Sequence, residues 1–338
     1  MDHIKAAKAL ALCFRARAPI LLKGAPGVGK TDLLCEVAAQ EGFDVLISHP
    51  VVAEPTDAKG LPFPDKKGES ARFLPYGDLA QALKATRPTI WFLDDLGQAA
   101  PDVQASFMQL LLARRIGEHR LPDCVTFAAA TNRKSDRAGV TGLLEPVKSR
   151  FATIIELEVT LAAWSLWALD HGVPAEMLAF LRTFPQYLHM FVPSADMTNS
   201  PSPRTWAQLA KLYRYGIDPD IELEVASGSV GMEAAGEYVK FLRICREALS
   251  PDAVLLDPRN ADIPNELGAL YGLTTALAHL ATPQNYGRLM TYAERLQEAK
   301  KGEVAGYMLR DAERLCPDVT KTADYVLALS GPLAELFK

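Results

Sequence analysis

The sequence predicts an α/β core, a parallel sheet with helices on both faces, followed by an all-helical region. Two observations predict it. From Pro19 to about Glu158, short apolar runs alternate with stretches of helical period. Strands alternating with helices imply a parallel sheet covered on both faces. Beyond Glu158 the β signals fade and helical patterns take over.

Taken in order, MDHIKAAKALALCFRARAP has a short apolar centre that ends in Arg15 and Arg17, with no small-residue cleavage site. It reads as a first helix and not as a signal peptide. APILLK (18–23) is a buried strand, KTDLLCEVAAQE (30–41) a helix and FDVLIS (43–48) a second strand. GLPFPDKKGESARFLPYGDL (60–79) breaks the alternation; its turn signal from Asp65 to Gly68 predicts an inserted hairpin. TIWFLD (89–94) is a strand, and APDVQASFMQLLLARR (100–115) an amphipathic helix with Pro101 where a first-turn proline is tolerated. CVTFAAAT (124–131), LLEPVKSR (143–150) and FATIIELE (151–158) follow as strand, short helix and last strand. LAAWSLWALDHG, EMLAFLRTF, RTWAQLAKLYRYG, AAGEYVKFLRICREAL and ALYGLTTALAHLA are helical in pattern. VPSADMTNSPSPR (192–204) is a loop that delivers a helix, and LDPRNADIP (256–264) a break before a further helical segment.

Composition narrows the class. The 338 residues suffice for two or three domains with substantial cores. A net charge of −5 and a pI near 5.8 argue against a broad nucleic-acid-binding face. The five cysteines lack C-x-x-C spacing, and Cys13, Cys35 and Cys124 sit in apolar runs. They read as reduced thiols acting as small hydrophobes in a cytoplasmic protein. The six histidines show no ligand spacing, so a metal site built on His or Cys is not expected. No apolar run approaches the ~20 residues of a membrane span.

The chemistry begins with GAPGVGKT: Gly24, Ala25, Pro26, Gly27, Val28, Gly29, Lys30 and Thr31 satisfy G-x-x-x-x-G-K-[ST]. A strand enters the stretch and a helix leaves it, which is the context a phosphate-binding loop needs. Glycines let backbone N–H groups turn inward around phosphate oxygens at the positive end of a helix dipole. Lys30 would reach the β- and γ-phosphates, and the Thr31 hydroxyl would ligate Mg²⁺. A second strand ends in Asp94 and Asp95, adjacent carboxylates that an apolar run does not carry without reason. Beside such a loop, Asp94 is the expected Mg²⁺ ligand and Asp95 the group that polarises the attacking water. TFAAATNR ends on Asn132, whose amide can both donate to and accept from that water or the γ-phosphate. TNRKSD superficially suggests a guanine-reading N-K-x-D, but Arg133 intervenes and GTP is discounted. The expected ligands are ATP and Mg²⁺.

GAPGVGKT, WFLDD, AATN, the arginine of EPVKSRF and the later SPRTW stand in the order of an AAA+ ATPase. The chain most resembles the MoxR-like branch, in which a hairpin interrupts the segment before the second acidic motif. The resemblance is close over the core, runs through SPR and thins beyond about residue 220. It implies a nucleotide-binding core over residues 1–158, with the hairpin at about 60–79, and a helical lid and C-terminal helical region over 159–338. It gives Asn132 the sensor-1 role, Arg150 that of an arginine finger reaching a neighbouring subunit, and Arg204 that of the sensor-2 arginine. It also implies a homo-oligomeric ring, expected as a hexamer, and a protein client, with a von Willebrand factor A domain as the client feature of similar proteins. One position departs from the family: Asp95 stands where Glu is usual. Asp is shorter by roughly 1.5 Å, and a misplacement of about 1 Å can cost on the order of a hundredfold in rate. Slow but real turnover is expected.

Two weaker features complete the reading. Arg114, Arg115 and Arg120 surround a helix end and are read as solvated rather than as facing a neighbour's nucleotide. Lys66 and Lys67 at the hairpin tip are likewise read as solvated in preference to lining a pore. The rival functions are an ATP-loaded switch that scarcely turns over, and a DNA-acting AAA+ motor, against which the acidic balance counts.

Overall fold

Alternation within the strands decides how the core is divided. The computed structural model describes residues 1–64, 68, 70–116, 118–136, 142–191, 197–247 and 250–337. The strands are β1 (Ile20–Lys23), β2 (Asp44–Ser48), β3 (Leu61–Pro64), β4 (Ala71–Leu74), β5 (Thr89–Leu93), β6 (Arg115–Ile116), β7 (His119–Arg120), β8 (Val125–Thr131) and β9 (Thr153–Glu156). Five of them form one sheet in the order β2-β5-β8-β1-β9, every neighbour parallel. The first helices are α1 (His3–Ala16), α2 (Lys30–Gln40), α3 (Pro55–Lys59), α4 (Gly77–Leu83), α5 (Pro101–Ala113) and α6 (Glu145–Lys148).

Successive strand side chains point to opposite faces, so β5, buried along its whole length, feeds two cores. Ile90 and Phe92 join Leu22, Ala128 and Ala130 beneath Phe14 of α1 and Leu34 of α2. Trp91 and Leu93 join Phe127 and Ala129 beneath Phe107 and Leu110 of α5. The fold is the AAA+ phosphate-loop architecture expected from the sequence, with flanking helices and a helical C-terminal region. Because all five strands run the same way, β1, β5 and β8 end on one edge of the sheet. Open α/β sheets bind ligands in the crevice at that carboxyl edge.

The inserted hairpin is present and shorter than expected. β3 pairs antiparallel with β4, Leu61 opposite Leu74. At its base Gly60 has φ +89°, and a Cβ there would lie 2.6 Å from the Leu74 carbonyl oxygen, so only glycine fits. The segment does not continue as hairpin to residue 79, because α4 starts at Gly77 and buries Leu79 and Ala82 on one face. Lys66 and Lys67 lie outside the described residues, as do residues 192–196 of the predicted loop.

Contacts divide the chain into two units, Met1–Thr160 and Leu161–Lys338. The second holds α7 (Leu161–Asp170), α8 (Ala175–Thr183), α9 (Pro203–Arg214), α10 (Glu222–Val230), α11 (Met232–Glu247), α12 (Pro251–Leu256), α13 (Leu267–His279), α14 (Tyr286–Glu298), α15 (Gly302–Leu315) and α16 (Ala323–Ser330). Its centre is aromatic: the Phe180 ring lies 5.6 Å from Trp206 and 5.2 Å from Tyr238. Trp206 is fully buried, and its indole N–H donates to the Tyr187 carbonyl at 2.6 Å. Ser202 caps α9 through a reciprocal pair with Thr205, and Pro203 opens the first turn. No described helix is long and apolar enough to cross a membrane.

Candidate functional site

The loop between β1 and α2 is shaped by what its glycines permit. Gly27 and Gly29 have φ of +74° and +86°, conformations that cost a side chain-bearing residue but not glycine. Gly24 is needed for closeness: a Cβ would sit 3.0 Å from the Leu157 carbonyl oxygen and 3.3 Å from Val28 Cγ2. Ala25 and Val28 are buried beneath the loop, while Pro26 is half-buried. Gly24 N–H donates to the Thr131 carbonyl at 3.2 Å, which ties the loop to the end of β8. From α1, the His3 ring Nε2 meets the Val28 carbonyl at 2.7 Å.

Lys30, the first residue of α2, is buried and turns back into the loop. Its ammonium donates to the Gly24 and Ala25 carbonyls at 3.0 Å each and to Asn132 Oδ1 at 2.7 Å. An ammonium only donates, so Asn132 presents its carbonyl oxygen there and its NH₂ to the other side. That NH₂ donates to Asp95 Oδ1 at 3.4 Å. Asn132 therefore joins the loop lysine to the second acid, and β1, β5 and β8 meet in one cluster.

Thr31 Oγ1 donates to Asp94 Oδ2 at 2.8 Å. A hydroxyl and a carboxylate so placed, at the end of a strand and the start of the neighbouring helix, form the oxygen set that Mg²⁺ takes, so the residues present fit the ion. Asp94 N–H donates to the Ser48 carbonyl at 2.9 Å, which holds the acid at the strand tip. Asp95 has left the strand: its φ is +56°, and it opens a single 3₁₀ turn over Leu96–Gln98. Asp is among the residues that tolerate this left-handed region. The two neighbouring acids thus have different backbones and face different partners.

The two candidate arginines stand apart from the cluster in their bonding. Arg150 follows α6, and its Nε donates to the Met108 carbonyl at 2.9 Å while Nη1 donates to the Pro146 carbonyl. Those bonds hold its guanidinium against α5 and α6. Arg204 is exposed on the first turn of α9 and belongs to the helical unit. Arg114 ends α5 in a left-handed conformation and donates to the Pro122 carbonyl at 2.7 Å, a structural use. Arg115 and Arg120 are exposed on β6 and β7, a two-residue ladder that the sequence reads as a helix end. Burial pushes the Cys35 thiol up, with Asp32 and Asp94 adding to the effect, and Cys245 is pushed up to about 12. Both are neutral thiols.

Sequence reasoning missed His3 and Gln98. Gln98 Nε2 donates to Asp95 Oδ1 at 2.8 Å. His3 touches the loop from 25 residues away, a contact with no local signal.

A strand, a glycine-shaped loop, a helix beginning at lysine and an acid at the tip of a neighbouring parallel strand define a phosphate-loop nucleotide-binding core. The model of the ATPase family associated with various cellular activities (AAA) matches residues 20–159, which lie within the first unit. No curated protein matches the chain. Similar solved structures include a variant of Thermotoga maritima RuvB, 17% identical over 81% of this chain and 82% of that one, TM-score 0.43. The Thermotoga maritima RuvB Holliday junction branch migration motor is 18% identical over 81% and 80%, TM-score 0.42. NtrX from Brucella abortus in complex with ADP is 12% identical over 99% and 68%, TM-score 0.38.

Proposed function

We propose that the chain binds Mg²⁺-ATP at this cluster, hydrolyses it slowly, and works as a MoxR-like AAA+ ATPase that remodels or activates a partner protein from within a ring. The observation that carries the reading is the chain of contacts Lys30–Asn132–Asp95, set beside the Thr31–Asp94 pair. Each member is a group that phosphoryl transfer uses, and they come from the ends of two adjacent parallel strands, β5 and β8, and from the helix after the loop.

In this reading the loop N–H groups hold the phosphates, and Lys30 exchanges its carbonyl and amide acceptors for β- and γ-phosphate oxygens. Thr31 and Asp94 would hold Mg²⁺, which when bound neutralises charge on the phosphate oxygens. Asp95 accepts a hydrogen bond from the attacking water, and Asn132 orients that water or the γ-phosphate. The water oxygen forms the new bond to the γ-phosphorus and gives its proton to Asp95, while the bond to the β–γ bridging oxygen breaks and its electron pair leaves on ADP. Arg150 serves a neighbouring subunit in trans, and Arg204 serves its own subunit's nucleotide as part of a helical lid. A von Willebrand factor A domain on the client is supported by resemblance alone, and a pull-down with Asp95→Asn tests it.

A second reading is favoured by one observation. Asp95 is a methylene short of the usual residue and already holds two amide donors on one oxygen. An ATP-loaded switch with negligible turnover is compatible with that. Phosphate release at saturating Mg²⁺-ATP, with and without partner, separates the two: a motor releases phosphate over many turnovers, and a switch releases none.

A further inference from the structure

We propose that Gln98 is a positioning residue for Asp95: its side-chain amide fixes the short carboxylate that the reading above assigns to water activation. The inference rests on that assignment and goes beyond it, since no motif marks Gln98.

Three observations meet at this residue. Gln98 Nε2 donates to Asp95 Oδ1 at 2.8 Å, and Gln98 N–H donates to the Asp95 carbonyl at 2.9 Å. Main chain and side chain both return to the same acid, closing a 3₁₀ turn around it. Asp95 itself is left-handed at φ +56°, a conformation that costs energy in a residue with a Cβ and persists where its surroundings hold it. Finally, Gln98 Oε1 is shielded from solvent and meets no donor among the described residues. Buried polar atoms nearly always find partners.

The chemistry follows from lengths. An Asp carboxylate swings about two torsions, and a rate-determining group must be held within a fraction of an ångström. Asn132 approaches the same oxygen from β8, but at 3.4 Å it is a weak tether. Gln98 supplies the strong one. With Oδ1 fixed by two amide donors, Oδ2 is the oxygen turned to the water.

The test uses the full chain and asks which kinetic constant moves. Gln98→Leu removes donor and acceptor at nearly constant volume, and Gln98→Glu keeps the acceptor but sets a second carboxylate against Asp95. Both should lower kcat by on the order of ten- to a hundredfold, with KM and Mg²⁺-ATP affinity within about twofold of wild type. Asp95→Glu combined with Gln98→Asn restores the summed length of the pair and should turn over faster than either single variant. A Gln98→Leu protein that binds ATP and keeps the wild-type kcat overturns the proposal, and so does one that turns over faster, which would make Gln98 a brake.

A second readout does not depend on hydrolysis. In the nucleotide-free protein labelled at glutamine side chains, the Gln98 amide resonances should move in Asp95→Ala. If wild type does not hydrolyse ATP, the functional reading fails, yet this shift still supports the pairing. A Gln98 resonance unmoved by Asp95→Ala overturns it.

Discussion

Each of the two units buries a cationic side chain, and they complete it differently. In the helical unit, Arg182 makes a two-bond pair with the Asp311 carboxylate, one of them 2.9 Å long, and lies 4.6 Å from the centre of the Tyr307 ring. Arg182 and Asp311 are both nearly inaccessible to water. In the α/β unit, Lys30 donates to the Gly24 and Ala25 carbonyls and to the Asn132 amide oxygen. The first arrangement matches charge with charge in fixed bidentate geometry, which serves one folded state. The second uses acceptors that a phosphate can replace. Burial alone therefore does not distinguish the two cations; their acceptors do.

Several substitutions sharpen or break that contrast. The largest effect is expected at Arg150. If it acts across a subunit interface, Arg150→Ala should bind ATP normally and lose about 10³ to 10⁵ in turnover, as trans-acting arginines do in related enzymes. Lys30→Ala should also be inactive, through lost nucleotide binding. Mixing the two should recover partial phosphate release that rises with protein concentration. A dead mixture of variants that demonstrably co-assemble removes Arg150 from the interface.

Next in size is Asp95. Asp95→Asn should retain Mg²⁺-ATP while turnover drops by on the order of 10² to 10⁴, the range of a lost general base. Turnover within a factor of a few of wild type would move the catalytic role elsewhere. Asp95→Glu then decides the meaning of the short side chain: faster hydrolysis means reach was limiting, and a dead enzyme means the left-handed backbone already carries the carboxylate far enough.

The structural cation should respond in stability. Asp311→Ala removes the carboxylate that pairs with the buried Arg182 guanidinium, which costs about 3–5 kcal/mol. Replacing both partners, as Arg182→Met with Asp311→Leu, should cost much less, because no uncompensated charge remains. Denaturant unfolding followed by far-ultraviolet circular dichroism measures both. If the single variant unfolds like wild type, the pair is not the closed structural unit described.

What the sequence revealed follows the same division. The central strands β1, β5 and β8 were legible because burial on both faces demands continuous apolar runs, as in TIWFL. The loop was legible because its glycines are fixed by positive φ at Gly27 and Gly29 and by crowding at Gly24. Other elements left no periodic trace. In α10, Ser227 and Gly228 depress the helical signal that packing against α11 overrides. The ladder of β6 and β7 is two residues long on each side, too short for alternation to register. α4 hid inside the predicted hairpin because a seven-residue helix needs only Leu79 and Ala82 on its buried face. At the site, Lys30, Thr31, Asp94, Asp95 and Asn132 were all named from the sequence. What joins them was not: the Lys30–Asn132 bond spans 102 residues, and Gln98 looks like any polar turn residue until Asp95 is seen to curl back toward it.

The most direct test of the central claim is one paired measurement on wild type and Lys30→Ala, nucleotide binding by calorimetry and phosphate release under saturating Mg²⁺-ATP. Wild type should bind ATP and release phosphate slowly over many turnovers, while Lys30→Ala, folded to the same thermal midpoint, should do neither. A wild-type protein that binds no ATP, or a Lys30→Ala protein that binds and hydrolyses it equally well, would contradict the assignment of this cluster as an ATP-hydrolysing site.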